Sequence, residues 1–255
     1  MHASIPEKKH MFKRIIASIP NAITCCNLLS GCVAVIASFH LDTPDLALGL
    51  SGLQIVWLMI AAATIFDFCD GMAARLLRAH SLIGKELDSL ADLVSFGLAP
   101  GLMMYNLLRV LEAPAWTPWL ALFIPVIGAI RLARFNVDDR QTTSFIGLPI
   151  PSNAIFWIGY SAWLVGNEWP SVALPALSGW YLWLTIILIP VIALLMVCNL
   201  PMFSLKFKSM RPRVNILRYT ILLSAVILVS IFGIKGLAMA IILYLIISVF
   251  ETLRQ

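Results

Sequence analysis

The sequence predicts an all-α polytopic membrane protein with about eight transmembrane helices. Three observations predict it. The 255-residue chain is 60% hydrophobic and only 12% charged, with a mean hydropathy of +0.92, whereas roughly a quarter of a soluble domain is charged. Uncharged apolar runs recur along its length, and a helix needs about 20 residues to cross ~30 Å of hydrocarbon. Sixteen of the 18 lysines and arginines fall on one side of the alternating segments, the asymmetry that orients a chain in its membrane. The runs are too long for transmembrane strands and lack their two-residue alternation, so helices are expected to satisfy the backbone in lipid.

The elements follow in chain order. Residues 1–18, with KKHMFKR, read as a basic amphipathic segment on the cytoplasmic surface. A cleaved leader is disfavoured, because the next apolar run is long, contains Pro20 and leads into further spans. Spans are expected over 21–40, 47–75, 84–108, 116–135, 149–166, 180–200, 216–233 and 236–251. The second is long enough to project past the bilayer near Arg75. Pro125, Pro149, Pro151 and Pro190 mark kinks or span ends. Only GIKG separates the last two spans, which form a tight hairpin. Residues 19–200 then make a transmembrane core, and 201–255 a basic cytoplasmic loop with a C-terminal hairpin.

Charge places both termini and the junctions near 75–85, 131–140 and 206–218 in the cytoplasm, and the short loops LDTPDL and GNEWPSVALPALSG outside. The net charge of +5 follows from this topology and from attraction to anionic headgroups, with the Lys206 to Arg218 cluster as a lipid contact. No soluble basic domain is present to hold nucleic acid. Cys25, Cys26, Cys32, Cys69 and Cys198 are odd in number and lack metal spacing, so they read as packing residues.

Against this background, FDFCDGMAARLLRAH and GKELDSLAD set four aspartates where the second and third spans meet. Asp67 and Asp70, three apart, share a helix face that Gly71 and Ala74 continue with small residues. Gly84, Asp88 and Asp92 recur every four residues on one face of the next helix. A short connection lets the two helices run antiparallel, so the carboxylates converge at the cytoplasmic boundary. Their repulsion needs a compensating cation, and an all-oxygen ligand set suits Mg2+, Mn2+ or Ca2+. Mg2+ is commonly shared between carboxylates and substrate phosphates, and Arg75 can offset phosphate charge. A carboxylate outside the metal shell can serve as a base. Intramembrane acids also mark ion pathways, so a cation transporter is the rival from another class.

These positions spell D-x-x-D-G-x-x-A-R, eight residues, then G-x-x-x-D-x-x-x-D. The pattern resembles the signature of the CDP-alcohol phosphatidyltransferases. The resemblance implies a dimeric core of six transmembrane helices and a divalent-metal-dependent transfer, with an acceptor alcohol attacking the β-phosphorus of a CDP-linked lipid and CMP leaving. It implies that Asp67, Asp70 and Asp88 hold Mg2+ or Mn2+, one ion or two. Asp92 would be the catalytic base and a further metal contact. Gly71, Ala74, Arg75 and Gly84 would line the CDP pocket. IPNAITCCNLLSG, DSLADLVSFGLAP, RLARFNV and FIGLPIP resemble the membrane-embedded phosphatidylserine synthase branch of that family. CDP-diacylglycerol and L-serine are then the expected substrates, in an inner-membrane protein whose site faces the cytoplasm. Glycerol 3-phosphate and inositol phosphate are the alternative acceptors.

Three further readings concern the substrates. Arg131 and Arg134, three apart, either meet the serine carboxylate or a lipid phosphate, or anchor topology. Asn21 and Thr24 either touch the nucleotide or cap the first span. Ser95 and Gly97 are candidates for shaping the acceptor pocket. Resemblance is strong over 19–151; the last two helices are read as an addition to the six-helix core.

Overall fold

A computed structural model describes residues 5–79, 81–137, 145–166, 177, 179–202 and 216–254. Within them the chain is all-helical apart from two two-residue strands. The helices are α1 (Ile5–Ser38), α2 (Gly52–Leu76), α3 (Leu82–Asp92), α4 (Ala99–Val110), α5 (Phe123–Val137), α6 (Ile150–Val165), α7 (Gly179–Leu195), α8 (Ile216–Phe232) and α9 (Lys235–Arg254). A π-helical stretch, Leu93–Leu98, joins α3 to α4, and a 3-10 turn, Thr117–Leu122, leads into α5. The described helices therefore form eight rods. Four are long and apolar enough to cross a membrane: Ser18–Ser38, Gly52–Leu76, Leu82–Val110 and Thr117–Val137. α6, with 16 residues, reaches only about 24 Å, and α7 and α8 are of similar length.

Local chemistry sets the element ends. The second span starts at Gly52 because Ser51 and Gln54 form a reciprocal cap: Ser51 N donates to Gln54 Oε1 at 2.9 Å and Gln54 N to Ser51 Oγ at 3.3 Å. The sixth stops at Leu195, where the chain turns and the Leu195 carbonyl accepts from Leu148 N at 2.8 Å. Strands β1 (Phe145–Ile146) and β2 (Pro201–Met202) pair antiparallel beside this turn. Gly147 adopts a left-handed φ of +76° there, and a Cβ would strike the Met196 backbone. α1 is continuous from Ile5 with Pro20 inside it, so the basic N-terminal segment and the first span share one helix. The side chains of Lys8, Lys9, Lys13 and Arg14 lie outside the described residues, as do Arg140, Lys206, Lys208, Arg211, Arg213 and most of the GNEWPSVALPALSG loop.

The rod Leu82–Val110 is the pillar of the bundle: 61% of its apolar window is buried, against 28–33% for the other three long helices. Its Phe96, Met103, Met104 and Leu107 share one buried core with Val56 and Ile60 of α2 and Phe156 and Trp157 of α6. α9 closes on α6 backbone to backbone, since a Cβ on Gly159 would collide with Ala238. Ile36, Leu58, Ile65, Val126, Leu223 and Ile231 are exposed apolar residues on the outside, as a hydrocarbon-facing surface requires. Trp116, Trp119, Trp163, Trp180 and Trp183 are also exposed. All five sit at the helix ends remote from the aspartates, where indoles favour the headgroup boundary.

Candidate active site

The last turns of α2 carry Asp67 and Asp70, and α3 carries Asp88 and Asp92. α3 is started by Ser81, whose hydroxyl accepts from Gly84 N at 2.9 Å. The short return between the helices brings oxygens of Asp67, Asp70 and Asp88 within 4.8 Å of one another. α1 forms the third wall. Its buried Thr24 hydroxyl lies 2.6 Å from Asp70 Oδ2 and 3.0 Å from the Pro20 carbonyl, within donating distance of both. One turn on, Asn27 Nδ2 donates to Asp92 Oδ1 at 3.2 Å.

This cluster suits a divalent cation. Three carboxylates crowd together, and Asp88 Oδ1 is buried without a hydrogen-bond partner. A buried acceptor left unpaired is costly, and a hard cation with oxygen ligands would satisfy it. Asp92 stands outside this triad and holds its own bond to Asn27.

Two cavities meet at the acids. The first, about 310 Å³, is lined by Asn21, Thr24, Gly71, Ala74, Arg75 and Gly84, with Asp70 and Asp88. Six residues expected at the nucleotide thus share one space. Gly71 keeps that space open, since a Cβ there would meet only Arg75 Nη1, at 3.6 Å. Gly84 also serves packing: a Cβ would sit 2.8 Å from Asn21 Oδ1 and 2.9 Å from Ser81 Oγ.

The second cavity, about 240 Å³, is lined by Asp67, Asp88, Asp92 and Arg131, and by Lys85 and Asn136. Arg131 is buried, its Nε donating to the Leu148 carbonyl at 2.6 Å. Arg134 does not join it. That side chain is exposed, and Nη1 donates to the Val197 carbonyl at 3.1 Å, just beyond α7. Ser95 and Gly97 line neither cavity. Both are buried in the π-helical stretch, where Ser95 Oγ donates to the Asn27 carbonyl at 3.0 Å and Gly97 packs against Pro125.

Four further residues at the site, Lys85, Ser89, Asn136 and Asn27, are not among those the sequence points to. Lys85 lines both cavities, and its Nζ donates to the Asn136 carbonyl at 3.0 Å. The Asn136 amide in turn donates to Ser89 Oγ at 2.9 Å. Lys85 was legible only as a topology charge. Asn27 had a usable signal, lying three residues after Thr24 on the same face.

The family model described as CDP-alcohol phosphatidyltransferase matches residues 17–191. Curated proteins named CDP-diacylglycerol–serine O-phosphatidyltransferase are similar to the chain. That of Mycobacterium leprae (strain TN) is 31% identical over 204 residues, 76% of this chain and 61% of that protein. That of Bacillus subtilis (strain 168) is 36% identical over 133 residues, 52% and 69% of the two. That of Methanocaldococcus jannaschii is 34% identical over 151 residues, 58% and 62%. The matched chain thus spans less than two thirds of the mycobacterial and archaeal proteins.

Proposed function

The chain belongs to the CDP-alcohol phosphatidyltransferase family, and from that premise we propose that it transfers the phosphatidyl group of CDP-diacylglycerol to the hydroxyl of L-serine. The observation that carries the reading is the pair of cavities meeting at Asp88. One suits a nucleotide diphosphate, and the other offers a buried arginine beside a carboxylate. The names of the similar bacterial and archaeal proteins support serine as the acceptor.

Asp67, Asp70 and Asp88 would hold Mg2+ or Mn2+, one ion or two, supplying positive charge to the diphosphate and to departing CMP. Arg75 adds charge-assisted contacts to the phosphates from the first cavity. Thr24 restrains Asp70 through its short hydroxyl bond. Asp92 takes the proton of the serine hydroxyl. The serine oxygen bonds to the β-phosphorus, the bond from that phosphorus to the bridging oxygen breaks, and CMP leaves with the bridging oxygen. Arg131 pairs with the serine carboxylate, its Nε bond to Leu148 fixing the guanidinium plane. The acyl chains stay in the bilayer while the headgroup enters between α1, α2 and α3.

The experiment is CMP release by the purified full-length protein with CDP-diacylglycerol, Mn2+ and a panel of alcohols. Serine should be the productive one. Release only with glycerol 3-phosphate or inositol phosphate would move the chain to another branch, and no release with any alcohol would leave an ion pathway as the better account of the acids. In the same assay Arg131→Met should raise KM for serine by about 10-fold or more, the scale of a lost charge-assisted contact, with KM for CDP-diacylglycerol little changed.

The eight rods are proposed to span the inner membrane, with the acids on the cytoplasmic face. The basic side-chain bias and the indoles at the other end support this placement. In a background with the five native cysteines replaced by alanine, an impermeant thiol reagent should label Lys85→Cys only in inside-out vesicles; labelling in right-side-out vesicles would reverse the orientation. A homodimer is the expected assembly, and native mass measurement in detergent counts its copies.

A further inference from the structure

Asn27 sits in the middle of α1, fully buried, with no place in either cavity wall. Its amide is used at one end only. Nδ2 donates to Asp92 Oδ1 at 3.2 Å, while Oδ1 is buried with no hydrogen-bond partner. Buried polar groups are ordinarily paired, so an orphan calls for a cause. Turning the amide over would set its oxygen against a carboxylate oxygen, two acceptors face to face. The side chain is therefore oriented by Asp92 and not by its own satisfaction.

The backbone under it is pinned as well. Ser95 Oγ donates to the Asn27 carbonyl at 3.0 Å. Ser95 belongs to the π-helical stretch that begins directly after Asp92. Gly31, one turn further along α1, faces the same serine, and a Cβ there would lie 2.8 Å from Ser95 Cα. The two elements that carry Asn27 and Asp92 thus touch at two consecutive levels with no room to slide. π-helical turns are rare and often mark functional sites.

We propose that Asn27 is a positioning residue: it engages one oxygen of Asp92 and leaves the other aimed into the acceptor cavity to receive the hydroxyl proton. The inference rests on the phosphatidyl-transfer reading above and adds to it a residue of the first helix that touches no substrate. It predicts a defect in the chemical step, transmitted through Asp92 alone.

The test uses the purified full-length protein, CDP-diacylglycerol in mixed micelles, L-serine and Mn2+. Asn27→Leu should lower kcat by at least about tenfold, a fraction of what a well-placed base contributes. KM for CDP-diacylglycerol and the binding of CDP-diacylglycerol to the protein without serine should change less than about twofold. Asn27→Gln, which keeps the amide donor, should recover part of the loss. In the Asp92→Asn background Asn27→Leu should lower kcat no further, because the residue acts through that carboxylate. If Asn27→Leu fails to fold, Asn27→Ser, which adds no bulk, takes its place in every comparison. An unchanged kcat, a rise in KM for CDP-diacylglycerol alone, or an additive loss on top of Asp92→Asn would each overturn the proposal. A wild-type protein that releases no CMP with serine would overturn the reading beneath it, and that result is separable from the other three.

Discussion

Asp92→Asn is expected to lower kcat by about 10²–10⁴-fold, the range a positioned general base contributes. The substitution keeps the shape of the side chain and an oxygen that can accept from Asn27, but it removes the carboxylate proposed to accept the proton. CDP-diacylglycerol should still bind, since the cavity lined by Arg75, Gly71 and Ala74 does not include Asp92. Single-turnover kinetics with labelled serine, paired with equilibrium binding of the CDP-lipid, separates the two effects. Near-normal turnover would assign the base elsewhere, and lost lipid binding would make Asp92 primarily a metal ligand.

Removing divalent cations is expected to abolish turnover, and adding Mn2+ should restore it. Asp88→Asn should raise the Mn2+ concentration for half-maximal binding by at least about tenfold, because affinity at oxygen sites follows the charge of the ligand set. Asp88 is the most informative of the three. It borders both cavities, and one of its oxygens has no protein partner to lose. Direct Mn2+ binding followed by electron paramagnetic resonance measures this without relying on activity. Unchanged Mn2+ affinity in Asp70→Asn and Asp88→Asn would show that the cluster is not a metal site.

Much of this was legible in the sequence for physical reasons. Apolar runs announce helices because lipid leaves the backbone no other partner. Aspartates at helical spacing with small neighbours are legible because period alone puts them on a face: Asp67 with Asp70, and Asp88 with the glycine at 84. The resemblance read from that short pattern agrees with the family model, which matches residues 17–191. What the sequence left unread depends on contacts across elements. Arg131 and Arg134 share a face by spacing, yet the structure turns one into a cavity and sends the other to a carbonyl beyond α7. Ser95 and Gly97 looked like pocket residues, but the π-helical stretch after Asp92 rotates them into the packing between α1 and α5. No propensity scale marks such a stretch. Asn27 carries no mark of its own in the sequence, because a lone amide in an apolar helix has many uses, and only its partner 65 residues away gives it one.

The exposed tryptophans have an optical consequence. Among the described residues the indoles open to the surroundings all lie at one end of the bundle, and the aspartate end has none. Emission from these exposed indoles therefore samples a single leaflet. Lipids carrying bromine high or low on the acyl chain should quench it unequally in native protein, and asymmetric vesicles should show which leaflet the emitters occupy. On the proposed function, ligands entering at the aspartate end should leave the signal of these indoles untouched. The chain thus carries a built-in depth gauge, spectrally separate from its chemistry.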